Sequence, residues 1–252
     1  MNTINKNNRI GTTIRVVFIL ALISILAIFA VSCKWTVGFV RGSGNVIDEE
    51  RDVSDFHKVH LSGVGNLIIT QGEEESLTIE ADDNIIPIIE TDVSGERLDI
   101  GFKRGYTFTP SATIKFHLTV VDLDEISLSG AGSIDCESFE TEVLQFDVSG
   151  AGDLDFDLDA ERVEVVVSGA GNIILSGKVD SQEIEINGAG KYNGEDLESR
   201  ECVITVSGAG SATVNVSELL DVEINGVGNV YYTGNPSVKQ DISGLGKIRS
   251  LE

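Results

Sequence analysis

Apolar and polar residues alternate one for one along most of this chain, as in QFDVSGAGDLDFDLD at 145–159, and a short glycine phrase interrupts the alternation at regular intervals. The phrase reads LSGAG at 128–132, VSGAG at 148–152, VSGAG at 167–171, INGAG at 186–190 and VSGAG at 206–210, with looser versions LSGVG at 61–65, INGVG at 224–228 and ISGLG at 242–246. Between first glycines, from Gly130 to Gly244, the intervals are 20, 19, 19, 20, 18 and 18 residues. Such a fixed period marks a repeat architecture. Two residues before that glycine stand Leu61, Leu128, Val148, Val167, Ile186, Val206, Ile224 and Ile242. Four before it come Val59, Ile126, Phe146, Val165, Ile184, Ile204, Val222 and then Gln240; four after it, Leu67, Ile134, Leu154, Ile173, Tyr192, Ala212, Val230 and Ile248. The odd offsets are mostly polar. A period of two is the mark of strands with one buried face, so each repeat is predicted to be strand, tight corner, strand and looser turn. Glycine suits the corner because it reaches positive φ and carries no Cβ, which lets the chain turn and neighbouring copies approach closely. The Ser or Asn before it (Ser129, Ser149, Ser168, Asn187, Ser207, Asn225, Ser243) has a side chain able to hydrogen-bond the corner's backbone.

Two architectures fit this pattern. An antiparallel meander would present one wide apolar face and need a cover, and the chain has no long amphipathic helical stretch to supply it. In a parallel β-helix each repeat is one coil stacked about 4.8 Å from the next, and the apolar offsets point into a shared interior. The expected fold is therefore all-β, a single-domain parallel β-helix with coils of about 19 residues. Between Gly65 and Gly130 the phrase is missing, although SLTIEA at 76–81, RLDIGFK at 97–103 and TIKFHLTVV at 113–121 still read as strands. Pro87 within IIPII argues against a central strand there. This segment is expected to hold irregular early coils with a longer excursion at KRGYTFTPS, 103–111. At the other end Lys247, Arg249 and Glu252 fall on the last coil, where charge discourages another chain from pairing with the open edge.

The start of the chain does not belong to this pattern. Lys6, Arg9 and Arg15 precede the run VVFILALISILAIFAVS, uncharged from Val16 to Cys33. A basic segment followed by an apolar one reads as an export signal. Its end, AVSC, resembles a lipoprotein lipobox, which makes Cys33 the expected lipid attachment residue; Ala30 departs from the usual Leu, Val or Ile there. An uncleaved transmembrane helix is the alternative, since about 18 apolar residues are just enough to span. Either way the rest lies outside the cytoplasm, anchored to a membrane through the lipid or the helix. The expected organisation is 1–33 signal or anchor, 34–41 linker and 42–252 β-helical domain. Beyond Cys33 the chain keeps 15 of its 18 Lys and Arg against all 41 Asp and Glu. A surface this acidic repels phosphate backbones and excludes nucleic acid as a partner; its plain role is to keep a β-rich exported protein soluble. Cys136 and Cys202 both fall at inward parity, about four rungs or roughly 19 Å apart, beyond the reach of a disulfide. Two buried, unpaired thiols are expected.

The run from GSGNVIDEERDVSDFHKVHLSGVGNLIITQGEEESLTIEADDNIIPIIE through the SGAG copies to YYTGNPSVKQDISGLGKI resembles the putative autotransporter adhesin family with the head GIN domain. The likeness covers roughly residues 42–250, and the ordered set of phrases is far more specific than any one SGAG. It implies a right-handed β-helix similar to pectin lyases, a lipoprotein signal in front, and adhesion without a recognisable catalytic set. A shared fold by itself carries function weakly.

Asp153, Asp155 and Asp157 share one strand face, but the next coil offers Asn172, Ile174 and Ser176 at the same offsets and the one after it Lys191, Asn193 and Glu195, so no column of acids persists for a polysaccharide lyase or hydrolase. Calcium β-rolls repeat their Asp in every turn; here the residue three after the marker runs Ser133, Asp153, Asn172, Lys191, Ser211, Asn229, Lys247. His57 and His60, three apart on a strand, point to opposite faces, and His117 is isolated, which argues against zinc. SGAG lacks the Lys and helix of a nucleotide loop. Aromatic residues are the better lead: Tyr106 and Phe108 in the excursion, Trp35 and Phe39 after the anchor, and Tyr231 at an outward offset, either stacking on sugars or partner chains or capping the open ends of the core. The expectation is a membrane-anchored, non-catalytic binding protein of the cell envelope with a glycan or protein ligand and no cofactor, metal or catalytic residues. The alternatives are a carbohydrate-active enzyme on the same scaffold and an envelope-sensing scaffold.

Overall fold

The computed structural model describes residues 38–251. The signal or anchor reading, with Cys33 and Trp35, lies outside them, as does Glu252. The chain enters through β1 (Gly38–Arg41), β2 (Val46–Arg51), β3 (Lys58–Leu61), β4 (Asn66–Gln71) and β5 (Ser76–Asp82). A 3-10 turn, Ile86–Ile88, leads to β6 (Ile89–Ser94), β7 (Arg97–Phe102), β8 (Tyr106–Thr109), β9 (Lys115–Val120) and β10 (Glu125–Leu128). The long strands β11 (Ser133–Val148), β12 (Asp153–Val167), β13 (Asn172–Ile186), β14 (Lys191–Val206) and β15 (Ser211–Ile224) follow, then β16 (Asn229–Thr233), β17 (Ser237–Ile242) and β18 (Lys247–Ser250).

From β10 onward every strand pairs in parallel with its counterpart one coil away, which makes a β-solenoid of about 7 turns and about 19 residues per turn. The register is the one the hydrophobic spacing predicts. Leu61, Leu128, Val148, Val167, Ile186, Val206, Ile224 and Ile242 stand in one column. Leu67, Ile134, Leu154, Ile173, Tyr192, Ala212, Val230 and Ile248 stand in a second. Until the last coil these side chains are buried. Each buried Leu, Ile or Val contributes about 1.5–3 kcal/mol relative to exposure, and a slip of one residue would turn a whole strand's set to water. That difference fixes the register. The longer coils absorb their extra residue as bulges: the pairing of β11 skips between Cys136 and Phe139, leaving Glu137 and Ser138 both exposed. In β14 the skip leaves Glu195 and Asp196 both exposed.

The corners are built on close approach, not on unusual torsions. Of the phrase glycines only Gly65 has a positive φ; those from Gly130 to Gly246 do not. A Cβ on Gly150 would stand 2.0 Å from the carbonyl oxygen of Gly130, and on Gly188 2.0 Å from that of Gly169. Positive φ, one of the two reasons expected for glycine, is thus not the operative one. The preceding polar side chains also differ from expectation: Asn187 and Asn225 donate to Glu185 and Glu223 two residues back, and Ser243 donates to Asn225 in the coil above.

The early segment departs further from a parallel helix. β5 pairs antiparallel with both β2 and β9, and β6 and β7 form an antiparallel hairpin turning through Gly95 and Glu96, both at positive φ. Pro87 sits in the 3-10 turn, where its missing N–H costs no ladder bond. Phe56, Ile85, Ile86 and Ile88 are buried, so this segment closes the end of the core that the first coils leave open. β1 takes the last four residues of the stretch read as linker and pairs with β8 of the excursion. Asp82 holds this region: it accepts from the Ser111 hydroxyl and amide and from the Gly44 amide. Cys136 and Cys202 are buried and unpaired, as expected. They lie on β11 and β14, three strand spacings apart instead of four, at least about 14 Å and still out of reach.

Candidate functional site

The interior is filled by Leu, Ile, Val and Phe side chains, so any site must lie on the outside. Apart from the bulges, alternation breaks at one bend in the middle of the coil, where two successive residues face outward: Glu142 and Val143 in β11, Glu161 and Arg162 in β12, Arg200 and Glu201 in β14. The register stacks these bends, with Val143, Arg162, Ser181 and Glu201 in one column. Just before the bend the inner column carries short side chains, Thr141, Ala160, Val179 and Ser199. Small residues at a concave bend leave room outside it, and a groove of about 680 Å³ runs here across five coils, from Thr141 to Ser217. It continues toward the N-terminal end as concavities of about 900 Å³ beside Asp122, Asp124 and Glu140, and about 1000 Å³ beside Ile68, Gly72 and Ser138. Gln71 fastens this end: its side chain donates to the Glu140 carbonyl and accepts from the Glu140 amide, both at 2.9 Å.

The groove is polar and acidic. Glu140, Asp159, Lys178, Glu198 and Asn215 form the column along its edge. Lys178 lies 3.8 Å from Glu198, and Arg200 bonds Glu218 at 2.9 Å with Asp180 at 3.8 Å. The Glu218 contact raises the Arg200 pKa and lowers that of Glu218. These exposed pairs add little stability, but they hold the cations along the groove. Beneath the floor lies a buried polar chain. The Tyr192 hydroxyl donates to Gln182 Oε1 at 2.7 Å, Gln182 Nε2 donates to Ser199 Oγ at 2.8 Å, and Ser199 Oγ donates to the Asn215 carbonyl at 2.8 Å. Each polar group is satisfied, which is what lets it sit in an aliphatic core. Burial pushes the Tyr192 phenol well above its ordinary value.

The outward aspartates do not converge. Asp153 accepts from Asn172, Asp157 accepts from Ser176, and Asp155 stands opposite Ile174. The column Ser133, Asp153, Asn172, Lys191, Ser211, Asn229, Lys247 is realised with its two lysines. Among the described residues no group of three or more His, Cys, Asp and Glu is placed to hold a metal ion. Phe39 and Tyr106 are exposed on β1 and β8, whereas Phe108 packs on Phe102 at 4.5 Å and belongs to the core's edge. Tyr231 is half-buried between Thr213 and Arg249.

One constellation escapes the sequence. His60 Nδ1 lies 2.8 Å from Asp99 Oδ1, and His60 Nε2 lies 2.8 Å from Ser129 Oγ. The alignment of RLDI, KVHL and EISL by their alternation would have placed Asp99 beside His60. The order Ser, His, Asp resembles a nucleophilic triad, but its surroundings do not complete one. Ser129 is exposed, Asp99 is shared with Arg97 through three contacts of 3.1–3.2 Å, and the Ser129 and Ala131 amides are already spent on the Leu61 and Gly63 carbonyls. An oxyanion site needs such donors free and aimed at the reacting atom. Burial pushes the Asp99 carboxyl up, but hydrogen bonds from His60 and Arg97 outweigh it and hold the group below the usual carboxylate range. The three side chains tie the first coils together. His117 lies 3.6 Å from Glu80, whose carboxyl Lys115 holds below its ordinary value.

A solenoid with a filled interior and a long outer groove is a scaffold for surface contact. The chain belongs to the family described as putative auto-transporter adhesin, head GIN domain, whose profile matches residues 55–236. A crystal structure of a putative adhesin from Bacteroides fragilis is similar at 25% identity and a TM-score of 0.79, covering 84% of this chain and 100% of that one. Putative adhesins from Parabacteroides distasonis and Parabacteroides merdae share the fold at 22% identity and a TM-score of 0.68, covering 84% and 85% of this chain and 100% of each. No curated protein sequence matches this chain.

Proposed function

We propose that this chain is an exported, membrane-anchored adhesin of the cell envelope that binds an extended ligand without chemical turnover, along the groove from Gln71 to Ser217. The groove itself carries the reading: it is open, crosses six coils, and is lined by polar side chains. Such a surface suits a glycan or a polypeptide laid along the solenoid axis, with hydrogen bonds to Asn215, Ser217 and Thr141 and with Glu142, Asp159 and Glu198 favouring a neutral or cationic chain. Family membership supports a role in adhesion, and the basic and apolar start of the sequence supports export. Another solved relative, from Parabacteroides distasonis, is described as a putative lipid binding protein; the filled interior of the present solenoid favours a surface ligand over an enclosed acyl chain.

The test is a glycan array probed with the purified protein beside Asp159→Lys and Asn215→Ala chains, with turnover assays on acidic polysaccharides run in parallel. Binding that both substitutions weaken is the expected result. Release of product would overturn the non-catalytic reading, and unchanged binding in both variants would move the site off the groove.

A further inference from the structure

Among the described residues no coil lies beneath β17 and β18. β17 pairs with β15 above and β18 with β16 above, so the inner ladder ends in side chains that are covered elsewhere and open here. Val238 is 37% exposed and Ile242 39%, while Leu220 and Ile224 directly above them are fully buried. At the corner, where the five preceding coils carry Ala131, Ala151, Ala170, Ala189 and Ala209, the last two carry Val227 and Leu245, both exposed. Charge changes too: residues 237–251 hold Lys239, Lys247 and Arg249 against Asp241 alone, in a chain of formal net charge −23. Gln240 is the single polar residue in the column that runs Val59, Ile126, Phe146, Val165, Ile184, Ile204 and Val222.

We propose that a second copy of this chain covers this edge, β17 pairing antiparallel with its counterpart about a twofold axis through Gln240. The sequence SVKQDI reads as its own partner in that register. Val238 falls opposite Ile242 of the second copy on the inner face, the two Gln240 amides face each other, and Lys239 falls opposite Asp241 on the outer face, twice. Charge explains why this register is preferred. Within one chain Asp241 lies directly under Glu223, a like-charge rung, while Lys239 lies under Asp221 and bonds it at 2.6 Å. Pairing places a lysine on the open side of each Asp241 and a carboxylate on the open side of each Lys239, so both charged rungs at the joint join opposite signs. A paired glutamine, donor and acceptor at once, fixes the register as aliphatic residues do not. Lys247 and Arg249 on β18 would meet like charges across the same axis, so the joint is made along β17. The chain enters the solenoid at the far end, where β2 pairs with β5. Two copies joined by their last coils therefore point their first coils apart, and, granted the membrane anchor of the proposed function, they bridge two facing surfaces.

Full-length chains in detergent test the pairing. Paired residues across antiparallel strands lie about 4.5–5.5 Å apart at Cα, within disulfide range. Gln240→Cys should therefore cross-link to itself on oxidation, and Val238→Cys should cross-link to Ile242→Cys chains in preference to itself. Lys239→Asp and Asp241→Lys should each raise the dimer dissociation constant at least about tenfold, and the charge-swapped double substitution should restore it. Circular dichroism checks that each variant keeps its sheet. A monomer at every concentration, a ladder of higher species from head-to-tail contact, or cross-links without this register would overturn the proposal. Vesicles reconstituted with the chain should aggregate, and those carrying Lys239→Asp should not. Dimers without vesicle aggregation would overturn the bridging geometry and the anchor reading it needs, and leave the pairing intact.

Discussion

A Cβ on Gly169 would stand 1.9 Å from the carbonyl oxygen of Gly150 in the coil above. That oxygen also accepts the Ala170 amide at 2.9 Å, so the position that forbids a side chain is the one that supplies the corner's hydrogen bond. The repetition of the phrase follows: each corner roofs the next, and no copy has room for a larger first residue. Gly169→Ala should lose about 1–3 kcal/mol of stability, from crowding and the displaced bond. Urea unfolding followed by circular dichroism checks it, with the exposed Ala170→Gly staying within about 1 kcal/mol of the parent as the control.

Tyr192→Phe removes the donor to Gln182 and strands a buried amide oxygen. The expected loss is about 1–3 kcal/mol. Adding Gln182→Leu, which removes the stranded group, should recover part of it, and the same urea series reads both.

The two core thiols should be silent in the folded protein. Burial pushes Cys136 up to about 11 and Cys202 higher still, so at mildly alkaline pH neither supplies much thiolate. A thiol reagent added to a Cys33→Ser chain should label both only after denaturant is added. Fast labelling of either in the native state would contradict the burial described.

Acid should loosen the N-terminal region through Asp82. Hydrogen bonds from Ser111, its hydroxyl first and then its amide, hold this carboxyl below its ordinary 3.8. A folded pKa below the unfolded one means the stabilisation is fully present above 3.8 and fades as pH falls through the lower folded value. Asp82→Asn should therefore be less stable at neutral pH and show a shallower acid limb in thermal unfolding. An acid limb identical to the parent's would assign it to other carboxylates.

The ladders were legible in the sequence because parity and spacing are all that a stacked coil requires: Leu128, Val148 and Val167 announce their column at sight. The direction of β5 was not. A strand reading SLTIEAD buries the same side chains whether it runs with or against β9, so alternation carries no information about polarity there. The meeting of His60 with Asp99 and Ser129 spans 39 and 69 residues, across the stretch where the phrase is missing and register has no marker. The groove left a faint sign, the adjacent polar pair Glu161 and Arg162 between Ala160 and Val163, but its depth depends on the small side chains of four different coils lining up.

The bulges at Glu137 and Ser138 and at Glu195 and Asp196 show where this architecture tolerates a change of length. A residue gained there swells the rim while the columns on either side resume their places. New side chains can accordingly enter or leave the outer wall one at a time without any rearrangement within, so the scaffold is free to vary what it grips while its own folding goes unaltered.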